Sequence, residues 1–112
     1  MTSFTEPNDG VRLTIETRRE DGVVTLVLRG EADIASLERL ESTLAQVEID
    51  GARAVHVDLT ELDFADVATL RHLMRFAQRA RAKGHQVTSR GARPVLRRVA
   101  TLLGGDDMLG LA

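Results

Sequence analysis

Cysteine, tryptophan and tyrosine are missing from this 112-residue chain, which has only two prolines and three phenylalanines. Without cysteine there is no disulfide, no thiolate nucleophile, no thiolate-ligated iron–sulfur cluster and no cysteine-based zinc site. Stability must then come from packing. The shortage of aromatic rings removes the stacking platforms that single-stranded nucleic acids use. No apolar run approaches the roughly 20 residues that a membrane-spanning helix needs. The start, Met1-Thr2-Ser3-Phe4-Thr5-Glu6-Pro7, has neither the basic nor the apolar region of a signal peptide, so a cytoplasmic protein is expected.

What is present is the composition of a globular chain, 43% hydrophobic and 29% charged, of a length that supports one core. The net charge of -2 hides a division. Up to Asp63 there are fourteen acidic and six basic side chains, whereas between Phe64 and Leu103 one acid, Asp66, stands against nine bases. The second half therefore offers a basic surface on an acidic domain. That suits an acidic protein partner better than nucleic acid.

Residues 1–10, with Pro7, Asn8, Asp9 and Gly10, read as a flexible polar lead-in to one domain over residues 11–112. Val11, Leu13 and Ile15 then alternate with polar residues as in a half-buried strand. Asp21-Gly22 signals a hairpin turn into residues 23–28, apolar on both faces and suited to a central strand. Leu37, Leu40, Leu44 and Val47 follow at helical spacing, with Ser36 as N-cap and Glu38 in the first turn. Val55, Val57 and Leu59 mark a third strand. Asp66 caps a second helix with the stripe Val67, Leu70, Leu73, Met74 and Ala77, closed by Lys83-Gly84. Residues 85–88 form a weak strand suited to a sheet edge. Pro94 opens a third helix with Val95, Leu96, Val99, Leu102 and Leu103 inward, ended by Gly104. The expectation is an α/β domain with a four- to five-stranded mixed sheet covered by about three main helices. Its order is ββαβαβα, with a possible last strand at residues 108–111.

Standard catalytic constellations are missing: there is no phosphate-binding loop with its lysine, no Gly-x-Ser-x-Gly elbow and no His-Glu-x-x-His helix. His56, His72 and His85 lack metal-ligand spacing and are expected to have surface or structural roles. Asp33, Asp58 and Asp66 fall near the ends of successive strands, where open α/β sheets place their sites. They would either bind a cation or a partner together, or serve separately as helix caps and loop acceptors. No enzyme, metal or cofactor is expected. Arg71, Arg75 and Arg79 recur every four residues, and with Arg93, Arg97 and Arg98 they form either a solvated face or a docking face.

Gly30-Glu31-Ala32-Asp33, Val57-Asp58-Leu59-Thr60, Phe64-Ala65-Asp66-Val67-Ala68-Thr69-Leu70 and Leu102-Leu103-Gly104, in this element order, resemble the STAS domain family. That family includes the bacterial anti-sigma factor antagonists. The resemblance implies a non-enzymatic regulator in partner switching, binding an anti-sigma factor of the serine-kinase type and so freeing a sigma factor for transcription. In typical members the segment reads Asp-Ser-Ser-Gly-Leu, and the first serine accepts the phosphate. Here Asp66 and Leu70 keep the frame, but Val67 stands at the phosphoacceptor, Ala68 at the second serine and Thr69 at the glycine. A phosphate would add about -1.5 to -2 charges there, and valine cannot carry one. Thr69, two residues deeper, is a weak substitute acceptor, better explained as bonding a preceding carbonyl. The expected partner-binding surface is Asp33, Asp66, Val67, Ala68, Thr69 and Leu70, with Arg71 and Arg75 alongside. Two rival readings are an accessory subunit of a transport or other multi-protein assembly, and a ligand- or nucleotide-binding domain using the same edge.

Overall fold

Asp21 and Gly22 both take positive φ, 51° and 78°, the backbone of a two-residue hairpin turn. The strands they join run antiparallel, with Glu20 opposite Val23. The computed structural model describes residues 2–5 and 12–104. Its sheet has five strands in chain order: β1 (Thr2–Thr5), β2 (Leu13–Glu20), β3 (Val23–Ala32), β4 (Ala54–Ala65) and β5 (Gln86–Arg90). β1, β2 and β3 pair antiparallel, and β3, β4 and β5 pair parallel. Parallel neighbours need crossovers, which α1 (Ile34–Gln46) and α2 (Val67–Ala82) supply; α3 (Pro94–Leu102) follows β5. The mixed α/β architecture is the one the sequence implies, with β3 central and β5 at an edge. Thr2–Thr5, within the segment read as a lead-in, adds an edge strand before it. The strand considered at residues 108–111 lies outside the described residues.

The sheet has two unlike faces. Leu13 and Ile15 on β2, Val24, Leu26 and Leu28 on β3, Val55 and Val57 on β4 and Val87 on β5 join one buried cluster with the inner sides of all three helices. The alternate positions form a polar face. There Arg18 bonds Glu16 at 2.6 Å, Glu16 accepts from Arg29 at 3.0 Å, and Arg29 reaches Glu61 at 2.9 Å. Val27, buried on this face, lies outside the core cluster. The helices therefore cover one face only, where the sequence suggested a covered sheet.

Three local expectations shift. α1 starts at Ile34, capped by Asp33, whose Oδ1 accepts from Ala35 N–H at 3.0 Å. Ser36, expected as the cap, sits inside the helix, and its Oγ accepts from the Asp33 backbone N–H at 3.1 Å. The reciprocal box uses Ser36 where Glu or Gln is usual, and Glu38 falls beyond the first turn. The buried side of α1 is then Ser36, Leu40, Thr43 and Leu44, with Leu37 only half-buried. On α2, Leu70, Leu73, Phe76, Ala77 and Ala80 are buried, but Val67 points outward. On α3 the core takes Leu96 and Ala100, and Val95 and Leu102 are exposed. Burying Leu70 and Leu73 contributes roughly 1.5–3 kcal/mol each as an upper bound.

Candidate functional site

β3 and β4 end side by side, with Ala32 opposite Ala65. Each strand passes directly into a helix through one aspartate, Asp33 and Asp66. Asp66 Oδ1 accepts from Thr69 N–H at 2.9 Å, so the cap expected from the sequence is present. The Asp66 backbone N–H donates to Ala32 O at 3.1 Å, and Thr69 Oγ1 donates to the same oxygen at 3.5 Å. The start of α2 is thereby tied to the end of β3.

Glycine at position 30 is dictated by this corner. Gly30 has φ of 96°, and a Cβ there would stand 2.0 Å from the Arg12 carbonyl oxygen. β3 slips in register against β4 between Gly30 and Glu31. The slip re-aims the strand, and Glu31 N–H donates to Arg12 O at 3.0 Å.

The expected surface residues divide. Asp33 and Ala68 are partly exposed, as is Asp66, and Val67, Arg71 and Arg75 are exposed. Thr69 and Leu70 are buried at 0% and 1% exposure; they shape the surface from beneath. The Thr69 hydroxyl bonds across to β3, not back along its own helix. Two exposed residues that the sequence reading did not single out complete the patch, Ile34 at 82% and Phe64 at 47%, beside Val67 at 44%. Ile34 directly follows the capping Asp33 and Phe64 stands two residues before the capping Asp66, and that closeness to the caps is the signal that would have found them.

Asp58 does not join the other two carboxylates. β4 runs on to Ala65, so Asp58 lies seven residues before the strand end, on the order of 20 Å away along the strand. It sits on the polar face, its Oδ2 accepting from Arg90 at 3.1 Å and its Oδ1 from Thr60 N–H at 3.0 Å. Burial pushes its carboxyl up, but the Thr60 and Arg90 hydrogen bonds outweigh that and hold it below the ordinary value. The cation-binding reading of the three aspartates is therefore corrected: two are helix caps, and Asp58 stands within β4, not in a loop, accepting from an amide of its own strand and pairing with Arg90. Among the described residues no group of three His, Asp or Glu side chains is placed to hold a metal. His56 bonds Thr88 Oγ1 at 2.8 Å and His85 bonds Ala52 O at 2.6 Å, both structural contacts.

Between α1 and α2 lies an open groove of about 700 Å³, with Glu38 and Glu41 on one wall and His72 and Arg79 on the other. His72 Nε2 is 3.8 Å from Glu41 Oε1 across it. No helix among the described residues is long and apolar enough to cross a membrane.

A two-layer α/β sheet presenting an Asp-capped helix at its corner is the framework of a known domain class. Residues 15–110 match the family model described as "Mlab, STAS domain", and the chain belongs to the STAS domain family. Among solved structures, an anti-sigma factor antagonist from Mycobacterium paratuberculosis is 25% identical, with a TM-score of 0.71 over 95% of this chain and 87% of that one. SpoIIAA in its phosphorylated form, from Bacillus, is 17% identical with a TM-score of 0.63, covering 85% of this chain and 87% of that one. Unphosphorylated SpoIIAA, also 17% identical, has a TM-score of 0.65 over 79% and 82%. At that identity the SpoIIAA likeness concerns the fold alone. Comparison with curated protein sequences finds no match.

Proposed function

We propose that this protein is a non-enzymatic, cytoplasmic regulator of the anti-sigma factor antagonist type, which docks onto an anti-sigma factor of the serine-kinase type through the corner formed by Asp33, Asp66, Val67 and Ala68, flanked by Arg71 and Arg75. The observation that carries the reading is Val67. It stands at the first position of α2, where the resemblance puts the phosphoacceptor serine, and it is exposed beside Ile34 and Phe64. An exposed aliphatic residue at that point has no core to serve and offers dry contact area to a partner. Valine has no hydroxyl, so phosphorylation at this position does not switch the contact. Thr69 is a poor substitute, because its hydroxyl is buried against Ala32 O. The structural likeness to the mycobacterial antagonist supports the same reading.

Affinity capture from the protein's own host, comparing wild type with Val67→Asp and identifying retained proteins by mass spectrometry, tests it. Thermal melts of both proteins control for folding. Selective loss of an anti-sigma factor with a kinase-type ATP-binding domain is the expected result. Retention of transport-assembly subunits instead would replace this reading with that of an accessory subunit.

A further inference from the structure

The two crossover helices carry matching positions with opposite charge. Asp33 caps α1 and Asp66 caps α2; Ile34 and Val67 take the first helical positions, and both are exposed. One turn further, α1 presents Glu38 and α2 presents Arg71, each at the fifth helical position and each exposed. Beyond them stand exposed Glu41 on α1 and Arg75 on α2. Spacing by four aligns Val67, Arg71 and Arg75 in one row on α2. Among the described residues, neither Arg71 nor Arg75 has an ion-pair partner.

We propose that this helical face is an interface between two copies of the chain, related by a two-fold axis running parallel to the helices. The two helices run parallel to each other, since each leads from one strand to a parallel neighbour. A two-fold axis lying across them would set α1 on α1 and α2 on α2, opposing glutamate to glutamate and arginine to arginine. An axis along them lays α1 of one copy on α2 of the other. Ile34 of one copy then meets Val67 of the other, Glu38 meets Arg71, and each contact occurs twice, as an isologous interface requires. The groove of about 700 Å³ between the helices is covered by the second copy. Charge complementarity thus selects both the occupant and the axis.

One consequence rests on the docking reading given above. The dimer covers Val67 and Arg71, so self-association and partner binding exclude each other. Protein concentration would then set availability where the phosphoacceptor is missing. The dimer itself is independent of that reading and is tested on the purified chain alone.

Sedimentation velocity from about 1 µM to about 1 mM should show a monomer–dimer equilibrium, weakened as salt rises from about 0.05 M to about 0.5 M. Glu38→Arg and Arg71→Glu should each weaken it about tenfold, because each places two like-charge contacts in the interface. An equimolar mixture of the two single variants should dimerise as well as wild type, and so should the double variant. Circular dichroism confirms that every variant is folded. A monomer across the whole range overturns the proposal, as does a dimer indifferent to either substitution or not restored by mixing. Such failure leaves the capture experiment on Val67→Asp standing, since the two read different species.

Discussion

The Asp66 backbone N–H donates to the carbonyl of Ala32 at 3.1 Å, so the residue capping α2 is held by the last residue of β3. Ala32 directly precedes Asp33, the cap of α1. The starts of both helices and the end of one strand therefore form a single hydrogen-bonded corner. The exposed residues Ile34, Phe64 and Val67 are mounted on it.

Removing the cap should loosen that corner. Asp66→Ala deletes the acceptor for Thr69 N–H and is expected to cost about 1 kcal/mol in urea denaturation. Asp66→Asn, which keeps an acceptor oxygen, should cost less than half of that. Equal losses for the two variants would mean that the carboxylate charge matters more than the capping bond.

Gly30→Ala should be more damaging than any cap change. It places a methyl 2.0 Å from Arg12 O at a φ of 96°, so the backbone must move or the pairing of β3 must break. The expected loss exceeds about 1 kcal/mol, the reverse of the usual gain from replacing glycine. A denaturation midpoint equal to wild type would contradict the geometry of this corner.

Substitution at Val67 should separate stability from binding. Val67→Ser and Val67→Asp alter an exposed position and should leave stability within about 0.5 kcal/mol of wild type. Val67→Asp places a charge in the apolar patch and should reduce partner affinity at least about tenfold. Val67→Ser, which loses apolar contact but adds no charge, should weaken binding less than Val67→Asp does and, given a cognate kinase and ATP, become phosphorylated and lose binding. Wild type under the same treatment should keep its affinity.

Acid should destabilise the fold in two stages. Burial, with help from Arg90, lowers the His56 pKa below its ordinary 6.5. The unfolded chain therefore takes up that proton first, and stability falls as pH drops from 6.5 towards the folded value. Hydrogen bonds from Arg18 and Arg29 lower Glu16 below 4.5, and Asp58 lies below 3.8. Their contributions are present above those ordinary values and are lost as pH falls through the lower folded ones. Urea midpoints between about pH 7 and about pH 3 should decline throughout. His56→Gln should remove the upper stage and leave the lower one intact.

Much of the fold is legible in the sequence because its signals are local. The Asp21-Gly22 turn, the apolar central strand, the Asp66 cap and the Lys83-Gly84 stop each depend on chemistry within a few residues. The start of α1 was misplaced because Asp33 and Ser36 are both good caps and both take part in one box, so residue preference alone cannot rank them. The inward side of α3 is legible only in part: Leu96 is buried and Val99 and Leu103 pack against the core, whereas Val95 and Leu102 face outward and Ala100 takes an inward place. One face of so short a helix cannot bury every apolar residue near it.

The amino-acid order by itself determined the element types from β2 to α3, the lack of thiol chemistry, the valine that follows Asp66 and the opposite charge of the two halves. Each is a property of residues or of close neighbours in the chain. Only the tertiary structure decided that Asp58 stands apart from Asp33 and Asp66, because β4 continues for seven residues beyond Asp58 and pairs it with Arg90 across the sheet. It also decided that Val67 belongs to the surface while Thr69 and Leu70 belong to the interior. A helical stripe has no inside until another element covers one side of it. In this protein the apolar cluster shared with the sheet covers one side of α2, and the bond from Asp66 to Ala32, between residues 34 positions apart, ties the start of that helix to β3.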